Sequence, residues 1–392
     1  MSKPRVVFPY TEAGLGHIMP MKSIADEFER LYGDKVEVVR SEFFTETGDE
    51  QLAEYERRLV EDVKKFNKHP RMGFYATFNM TFWGTKIASW GAVKYIGNGA
   101  HVKGIEHMTE LRPDLVFSTH WATNYYAMKM ENRPLTAMYC PDAMINTLFS
   151  YPCDLAMVSM PTGYKTALRK RKKRFNENNL KLVPFLIRKE AFEVNTDKKA
   201  LRRKLVLDEN KFTVFLADGG YGVGKAQPMC EELLRRDLPI NLIVVCGKNE
   251  DMYAQIKELK AGQNTVYKPY CLAENIFELI AASDICCGKS GASLMAEPCF
   301  FGVPQMITHY AGHIERWIGN YYIKTVGSAI KQFNVKKACN LIEKFVAYPA
   351  LLQPYREAAL SVHANYGANI CARYVFGLLC TRFPELKDGS EL

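Results

Sequence analysis

The chain has 392 residues, which exceeds the roughly 250–300 residues at which single hydrophobic cores stop growing, so two domains are expected. Its 47% apolar and 24% charged residues argue against a disordered or collagen-like chain. The net charge of +9 comes without a recognised nucleic-acid motif, which argues against a nucleic-acid partner.

The cysteines and the first residues indicate a cytoplasmic protein. The eleven cysteines are odd in number and form no Cys-x-x-Cys pair, which argues against a disulfide framework or a zinc site. The opening sequence MSKPRVVFPY resembles neither a signal peptide nor a membrane span. No apolar run elsewhere reaches the roughly 18–20 residues that spanning requires.

The first half alternates short apolar strands with amphipathic helices, which is the pattern of a parallel sheet wound with crossover helices. Its predicted helices cover 19–32 and 51–67. Its predicted strands cover 5–10, 35–39, 114–118, 135–140 and 155–159.

The second half repeats this pattern. Its predicted strands cover 213–217, 241–246, 265–268 and 284–288, and its predicted helices cover 250–261, 273–282 and 291–301. The fold class is therefore α/β, with two Rossmann-like doubly wound domains facing a cleft.

The polar and basic stretch 164–181, followed by Val183-Pro184-Phe185, is interpreted as the linker between the domains. The predicted boundaries are 1–175 for the N-terminal domain and 185–353 for the C-terminal domain. Residues 354–392 are predicted to form a helical segment, broken near Gly367, that returns toward the N-terminal domain.

A glycine-containing turn directly follows the first strand and ends in His17. Gly14 and Gly16 allow the backbone to approach a ligand, and His17 lies at the mouth of the following helix. The alternative for His17 is a structural helix cap. The turn lacks a full GxGxxG, and no acidic residue sits clearly at the end of the following strand, so a dinucleotide site is not expected.

Two further segments predict a diphosphate site in the second half. Residues 218–225, DGGYGVGK, place four glycines in six positions, which suits a diphosphate cradle; a tight structural turn is the alternative. They lack the GxxxxGK[ST] pattern of a nucleotide triphosphatase. Ser290-Gly291-Ala292 opens a helix, and Glu297 lies about two turns along, where a carboxylate can accept both hydroxyls of a ribose.

Together these motifs resemble those of glycosyltransferase family 28, which includes monogalactosyldiacylglycerol synthases and processive diacylglycerol glucosyltransferases. The similarity covers nearly the whole chain. It rests on the loop ending at His17, Arg112-Pro113-Asp114, Ser118-Thr119-His120, Asp142, Arg188, 218–224, 245–249, 289–297, Tyr310-Ala311-Gly312 and Gly319-Asn320.

The resemblance implies a two-domain glycosyltransferase-B fold and an inverting transfer of a hexose from a UDP-sugar, the UDP-hexose partner. The predicted acceptor-binding residues are Gly14, Gly16, His120, Phe82 and Trp83. The predicted donor-binding residues are Arg188, Gly219, Gly220, Gly222, Val223, Gly224, Lys289, Ser290, Gly291, Ala292, Glu297, His313, Glu315 and Asn320, the last three in a sugar-reading loop.

An acceptor hydroxyl needs a positioned base, and His17 is the best candidate by residue type and location. Asp142, Glu12 or His120 is an alternative base, or a group that orients His17. The family works without a metal, and the sequence has no Asp-x-Asp motif, so no metal and no cofactor are expected. Helix N-terminal amides at 222–224 and 290–292, with Arg188, are expected to compensate the charge of the leaving group.

The acceptor is predicted to be a lipid, preferably diacylglycerol, reached from an anionic membrane surface by a peripheral protein. Residues 72–90 are rich in aromatics and methionine, as in an interfacial segment, although a buried helix is the alternative. Residues 165–174, KTALRKRKKR, hold seven basic side chains in ten, which suits anionic headgroups or, alternatively, a solvated helix face.

Several features depart from the family pattern and leave alternatives open. Glu12-Ala13 replaces further glycine, Asp142 lies in a Cys-Pro-Asp context, and the loop between Gly312 and Gly319 is longer, so the donor hexose is not assigned. The competing functions are UDP-GlcNAc 2-epimerase, transfer to a soluble or polyprenyl-linked acceptor, and non-catalytic binding of a sugar nucleotide or lipid.

Overall fold

Two six-stranded parallel sheets organise the chain. The structure, a computed structural model, describes residues 3–11, 15–82, 98–146 and 148–387. It divides into two compact units. Unit 1 comprises Met1–Val63, Tyr75–Lys189 and Gly367–Leu392, and unit 2 comprises Lys64–Phe74 and Glu190–Tyr366. The predicted α/β class with two doubly wound domains is confirmed.

Unit 1 is built on a parallel sheet of strand order β2-β1-β3-β4-β5-β6. The strands are β1 Arg5–Tyr10, β2 Glu37–Glu42, β3 Leu115–Ser118, β4 Leu135–Cys140, β5 Leu155–Val158 and β6 Leu180–Leu182. Its helices are α1 Leu15–Tyr32, α2 Glu50–Lys68, α3 Pro70–Phe82, α4 Asn98–Glu110, α5 Trp121–Lys129, α6 Pro161–Lys170 and α15 Asn369–Leu379. The end of α2 and the start of α3 belong to unit 2.

Both faces of this sheet are covered, which explains why its central strands are almost wholly apolar. On one face α1 and α15 pack over alternate strand residues such as Phe8 and Phe117. The two helices meet through Tyr32 and Phe376, whose rings stack with centroids 3.8 Å apart. The end of the chain is therefore part of the core of unit 1.

Unit 2 is built on a parallel sheet of strand order β12-β11-β10-β7-β8-β9. The strands are β7 Phe212–Ala217, β8 Ile240–Val245, β9 Val266–Tyr270, β10 Ile285–Lys289, β11 Gln305–His309 and β12 Ala329–Lys331. Its helices are α7 Lys198–Lys204, α8 Ala226–Arg236, α9 Glu250–Ile256, α10 Ile276–Ala281, α11 Ala292–Phe300, α12 His313–Tyr321, α13 Val335–Ala347 and α14 Gln353–Leu360. Short 3-10 turns lie at Lys189–Glu193, Pro349–Leu352, His363–Asn365 and Pro384–Leu386, and a π-turn at Tyr322–Val326.

A buried charge cluster holds the amino-terminal end of the second sheet. The carboxylate of Asp284, which is 7% exposed, forms salt bridges with three cations. The N···O distances are 2.6 Å to Arg202, 2.8 Å to Arg356 and 3.3 Å to Lys198. The backbone N–H of Thr213 donates to the same carboxylate at 2.9 Å. Burial opposes ionisation, but the three cations outweigh it and hold the pKa of Asp284 below its usual value.

The structure corrects the predicted linker. Residues 164–181 contain α6 and the start of β6, and Ala167, Phe175 and Leu180 are buried in unit 1. Three apolar residues thus anchor a segment whose remaining side chains are mostly polar and basic, which made it resemble a linker. Apart from Lys64–Phe74, which belongs to unit 2, the chain passes from unit 1 to unit 2 at Lys189–Glu190 and back at Tyr366–Gly367. Both points lie later than the predicted boundaries at 175–185 and 353–354.

Candidate functional site

In unit 2, the two segments predicted to bind diphosphate lie at the switch point of the sheet. Strands β7 and β10 are neighbours, and the chain proceeds from them toward opposite edges. Ligands of doubly wound sheets bind at the carboxyl ends of strands at such a point. A Cβ on Gly219 would lie 2.9 Å from Cε of Lys289, so the loop after β7 touches the end of β10.

The glycine loop at 218–224 needs glycine at defined positions. Gly219 and Gly222 have φ of +83° and +56°, in the left-handed region that glycine adopts without strain. A Cβ on Gly222 would also lie 2.1 Å from the carbonyl oxygen of Cys246. The loop folds back on itself through Gly222 N–H to Gly219 O at 2.9 Å, and Lys248 N–H donates to Gly220 O at 2.7 Å. Val223 lies within the same loop.

Asp218 and His309 form a buried pair beneath this loop. Asp218 accepts from the N–H of Ala226 at 2.6 Å, at the start of α8, and its other oxygen lies 3.7 Å from Nδ1 of His309. Burial raises the pKa of Asp218 and lowers that of His309, which opposes charge on both. A Cβ on Gly224 would lie 2.3 Å from both side chains. His309 was not predicted from the sequence. The feature that could have indicated it is its position at the end of an apolar strand.

The structure brings together three residues that were predicted for the donor site: Lys289, Ser290 and Glu315. Nζ of Lys289 lies 3.1 Å from Oε1 of Glu315, and both side chains are largely buried. The other carboxylate oxygen accepts from Ala311 N–H at 2.6 Å, and the Ser290 hydroxyl donates to the Glu315 carbonyl at 2.8 Å. These contacts join the end of β10 to the first turn of α12.

The predicted sugar-reading loop is a helix over most of its length. Gly312 caps α12, which runs His313–Tyr321 and carries Glu315 and Asn320. Trp317 Nε1–H donates to Nε2 of His313 at 2.7 Å, so the ring proton of neutral His313 lies on Nδ1. Burial lowers the pKa of His313. The apolar residues of 313–321 recur with a helical period and indicate a helix, but the glycines on either side favoured a loop in the sequence analysis.

The remaining predicted donor residues lie around this arrangement or outside unit 2. Gly291 caps α11, Ala292 begins it, and Glu297 lies half-buried in its second turn. A Cβ on Gly319 would approach Cβ of Ser290 to 3.3 Å, which places the latter half of α12 beside this helix start. Arg188 belongs to unit 1, and its assignment to the donor site stays a prediction.

In unit 1, His17 lies at the switch point between β1 and β3. Its Nδ1 lies 2.7 Å from the carbonyl oxygen of Thr119, and the Thr119 hydroxyl donates to the His17 carbonyl at 2.8 Å. A carbonyl can only accept, so Nδ1 carries the ring proton and Nε2 keeps a free lone pair. Burial lowers the pKa of His17, with the Thr119 carbonyl opposing.

The ring of His17 is held by aromatic neighbours. Phe149 stacks on it with an interplanar angle of 9°, and His120 meets it edge-on at 5.7 Å between centroids. His120 caps α5 by accepting from Ala122 N–H at 3.4 Å. Burial, with a smaller contribution from His17, lowers the pKa of His120 to about 3, so this imidazole is neutral at physiological pH.

The backbone carbonyl of Thr119 is thus one group that orients His17, and no residue type in the sequence indicates it. Asp142 lies half-buried after β4, and its predicted role stays a prediction. Gly16 lies in the first turn of α1, where a Cβ would meet open space. Glu12, Gly14 and Trp83 lie outside the described residues, and Phe82 ends α3.

A second group missed from the sequence lies at the end of β1. The carboxylate of Glu56, on α2, is 4% exposed and accepts from the Thr11 hydroxyl at 2.7 Å. This contact ties α2 to the residue that precedes the His17 turn. Nothing in the charged, amphipathic sequence of α2 distinguishes Glu56 from its exposed neighbours.

The basic run lies on the surface of unit 1. Its six exposed cations are Lys165, Arg169, Lys170, Lys172, Lys173 and Arg174. Within the described parts of the chain, no helix is long and apolar enough to cross a membrane. The same residues contain no cluster of three or more His, Cys, Asp or Glu side chains suited to hold a metal ion.

Two doubly wound units, each built on a six-stranded parallel sheet, match the GT-B fold of solved glycosyltransferases. Solved structures agree: a glycosyltransferase from Streptomyces nogalater aligns over 96% of this chain and 100% of its own with a TM-score of 0.57 at 14% identity. UDP-GlcNAc 2-epimerase from Neisseria meningitidis, bound to UDP-GlcNAc, covers 97% and 100% with a TM-score of 0.60 at 12% identity.

The curated relatives of this chain include diacylglycerol glycosyltransferases at low identity, which confirms the resemblance to family 28. A probable monogalactosyldiacylglycerol synthase 2 of Oryza sativa subsp. japonica is 22% identical over 377 residues, covering 91% of this chain and 77% of the relative. The processive diacylglycerol beta-glucosyltransferase of Bacillus pumilus is 30% identical over 117 residues, which span only 30% of each chain. No protein-family model matches the chain.

Proposed function

We propose that this chain is an inverting glycosyltransferase that moves a hexose from a UDP-sugar to a hydroxyl of a lipid, preferably diacylglycerol. The observation that carries the proposal is the Thr119-bound His17 at the switch point of unit 1. Its Nε2 lone pair is that of a neutral imidazole, which is the form a general base requires.

In this mechanism the acceptor oxygen attacks the anomeric carbon while the bond from that carbon to the UDP oxygen breaks. The hydroxyl proton passes to Nε2 of His17, and UDP leaves with the electron pair of the broken bond. Attack opposite to the leaving group inverts the anomeric configuration. A positioned base of this kind contributes typically about 10²–10⁴-fold to the rate.

Unit 2 supplies the groups that would stabilise the leaving diphosphate. The glycine loop and the start of α11 lie together at the carboxyl edge of the sheet, beside Lys289. Helix N-terminal amides and a lysine compensate developing negative charge without a metal. We propose that the reaction uses no metal and no cofactor, with Arg188 as a further cation at the diphosphate.

The lipid acceptor is supported by the names of the relatives and by the exposed cations of the 165–174 run. A polybasic surface gains about 1 kcal/mol for each cation near an anionic membrane. We propose that unit 1 binds the cytoplasmic membrane surface peripherally through this run.

The experiment is a screen of UDP-glucose, UDP-galactose and UDP-GlcNAc with vesicles of diacylglycerol and anionic phospholipid, read by mass spectrometry. A hexosylated diacylglycerol from the wild type, absent with His17→Ala, is the expected result. Turnover of a soluble acceptor only would overturn the lipid assignment.

The second candidate is UDP-GlcNAc 2-epimerase, because solved epimerases share this fold. Incubation with UDP-GlcNAc alone distinguishes the two enzymes. Formation of UDP-ManNAc without an acceptor would replace the transferase proposal.

Membrane binding is tested separately by co-sedimentation with anionic vesicles. Glutamine at Lys172, Lys173 and Arg174 is expected to release the protein from the vesicles. A matched control replaces the exposed Lys257, Lys260 and Lys336 of unit 2 and is expected to leave sedimentation unchanged.

A further inference from the structure

Unit 2 contains one segment from the first third of the chain, Lys64–Phe74. It spans the end of α2 and the start of α3, and it carries four lysine and arginine residues with no acidic one. The other residues of unit 2 begin at Glu190. No sequence motif marks this segment as part of the candidate donor site.

The segment makes a tight turn around His69. The N–H of His69 donates to the Lys65 carbonyl at 2.8 Å, which closes the last turn of α2. The N–H groups of Met72 and Gly73 both donate to the His69 carbonyl, at 3.0 and 3.2 Å. These bonds fix the direction in which Gly73 and the residue after it leave the turn.

Gly73 lies against the turn that leads into α12. A Cβ at this position would lie 2.4 Å from the carbonyl oxygen of Ala311 and 2.9 Å from Cβ of Phe66. A side chain of any size would therefore push the segment away from Ala311, because a backbone oxygen cannot rotate aside.

Phe74 contacts the first residue of α12. Its ring meets that of His313 edge-on, with centroids 4.9 Å apart and an interplanar angle of 86°. The Trp317 Nε1–H bond holds the same imidazole at Nε2. Two aromatic neighbours, one from α3 and one from α12, thus set the orientation of the His313 ring.

The other end of the segment reaches the glycine loop. Nζ of Lys64 lies 5.5 Å from the ring centroid of Tyr221, within the range of a cation–π contact. The segment therefore spans both parts of the candidate donor site, the 218–224 loop and the start of α12.

We propose that Gly73 and Phe74 are positioning residues for the hexose of the donor: they hold the Ala311–Gly312 turn and the His313 ring where α12 meets the sugar. This inference rests on the proposed UDP-sugar function. Gly73 and Phe74 contact the start of α12, whereas the contact with the glycine loop is made by Lys64. The hexose therefore depends on Gly73 and Phe74 more than the nucleotide does.

The test measures binding of UDP and of each UDP-hexose by calorimetry to the wild type, Phe74→Ala and Phe74→Tyr. Loss of one aromatic pair is expected to weaken UDP-hexose binding about three- to tenfold, while UDP affinity changes less than about twofold. Phe74→Tyr keeps the ring and is expected to restore hexose binding. Tyr75→Ala, at a neighbouring residue that is 71% exposed, is the matched control.

Equal weakening of UDP and UDP-hexose by Phe74→Ala would show a general structural role and overturn the inference, as would no change in either. Gly73→Ala provides a second variant with the same expected pattern. A wild type that binds no UDP-hexose would instead refute the proposed function itself.

Discussion

Replacement of Gly224 by alanine tests how tightly the candidate donor loop is packed. The new Cβ would lie 2.3 Å from Cγ of Asp218 and 2.3 Å from Cε1 of His309, both on buried side chains. Overpacking of this kind costs about 1–3 kcal/mol. Moving Asp218 aside would also break its bond to the Ala226 N–H, which adds about 1.5–3 kcal/mol.

We therefore expect Gly224→Ala to lower the free energy of unfolding by about 2.5–6 kcal/mol and to weaken UDP binding, because the loop and the start of α8 shift together. Urea denaturation and calorimetry with UDP measure the two effects. Gly377→Ala is the control, since a Cβ there meets open space in α15 and alanine favours a helix by about 0.5–1 kcal/mol. A Gly224→Ala protein as stable as this control, with normal UDP affinity, would refute the packing argument.

The remaining predictions concern His17, Thr119 and Asp284. The lowered pKa of His17 keeps the base neutral, so kcat/KM is expected to stay level as pH falls to about 6.5 and to decline only below it; a decline centred above pH 7 would exclude His17. Thr119→Val removes the hydroxyl that holds the His17 backbone and is expected to lower kcat about three- to tenfold without altering UDP affinity, whereas Thr119→Ser keeps the rate. Asp284→Asn leaves three cations without their carboxylate and is expected to cost about 3–5 kcal/mol in urea denaturation. Because the folded pKa of Asp284 is depressed, its contribution is present above the unfolded value of 3.8 and is lost as pH falls through the folded pKa; the acid-induced loss of stability below pH 4 is expected to be smaller in Asp284→Asn.

The parts of the fold that could be predicted are those with a local signature. Short apolar runs followed by glycine-containing segments predicted β1, β7 and β10. The same pattern placed His17, Gly219 and Ser290 just after the ends of these strands. The parallel order of each sheet then brings such strand ends together at a switch point.

The parts that could not be predicted depend on contacts between distant residues. The Thr119 carbonyl is a backbone group, so no residue type marks it as the partner of His17. In the sequence Glu56 resembles any charged residue of an amphipathic helix, and only the folded chain shows that it is buried and hydrogen-bonded to Thr11. The packing of Gly73 on Ala311 joins positions far apart in the chain and leaves no periodic pattern.

The central claim, an inverting hexosyl transfer from a UDP-sugar to a lipid hydroxyl, is tested most directly by proton NMR of one reaction. UDP-hexose and diacylglycerol in anionic vesicles are followed through the anomeric signals of donor and product. We predict that the product anomer of inverted configuration forms at the rate at which UDP is released, and that neither forms with His17→Ala. A product that retains the donor configuration, or a donor consumed while diacylglycerol stays unmodified, would contradict the account.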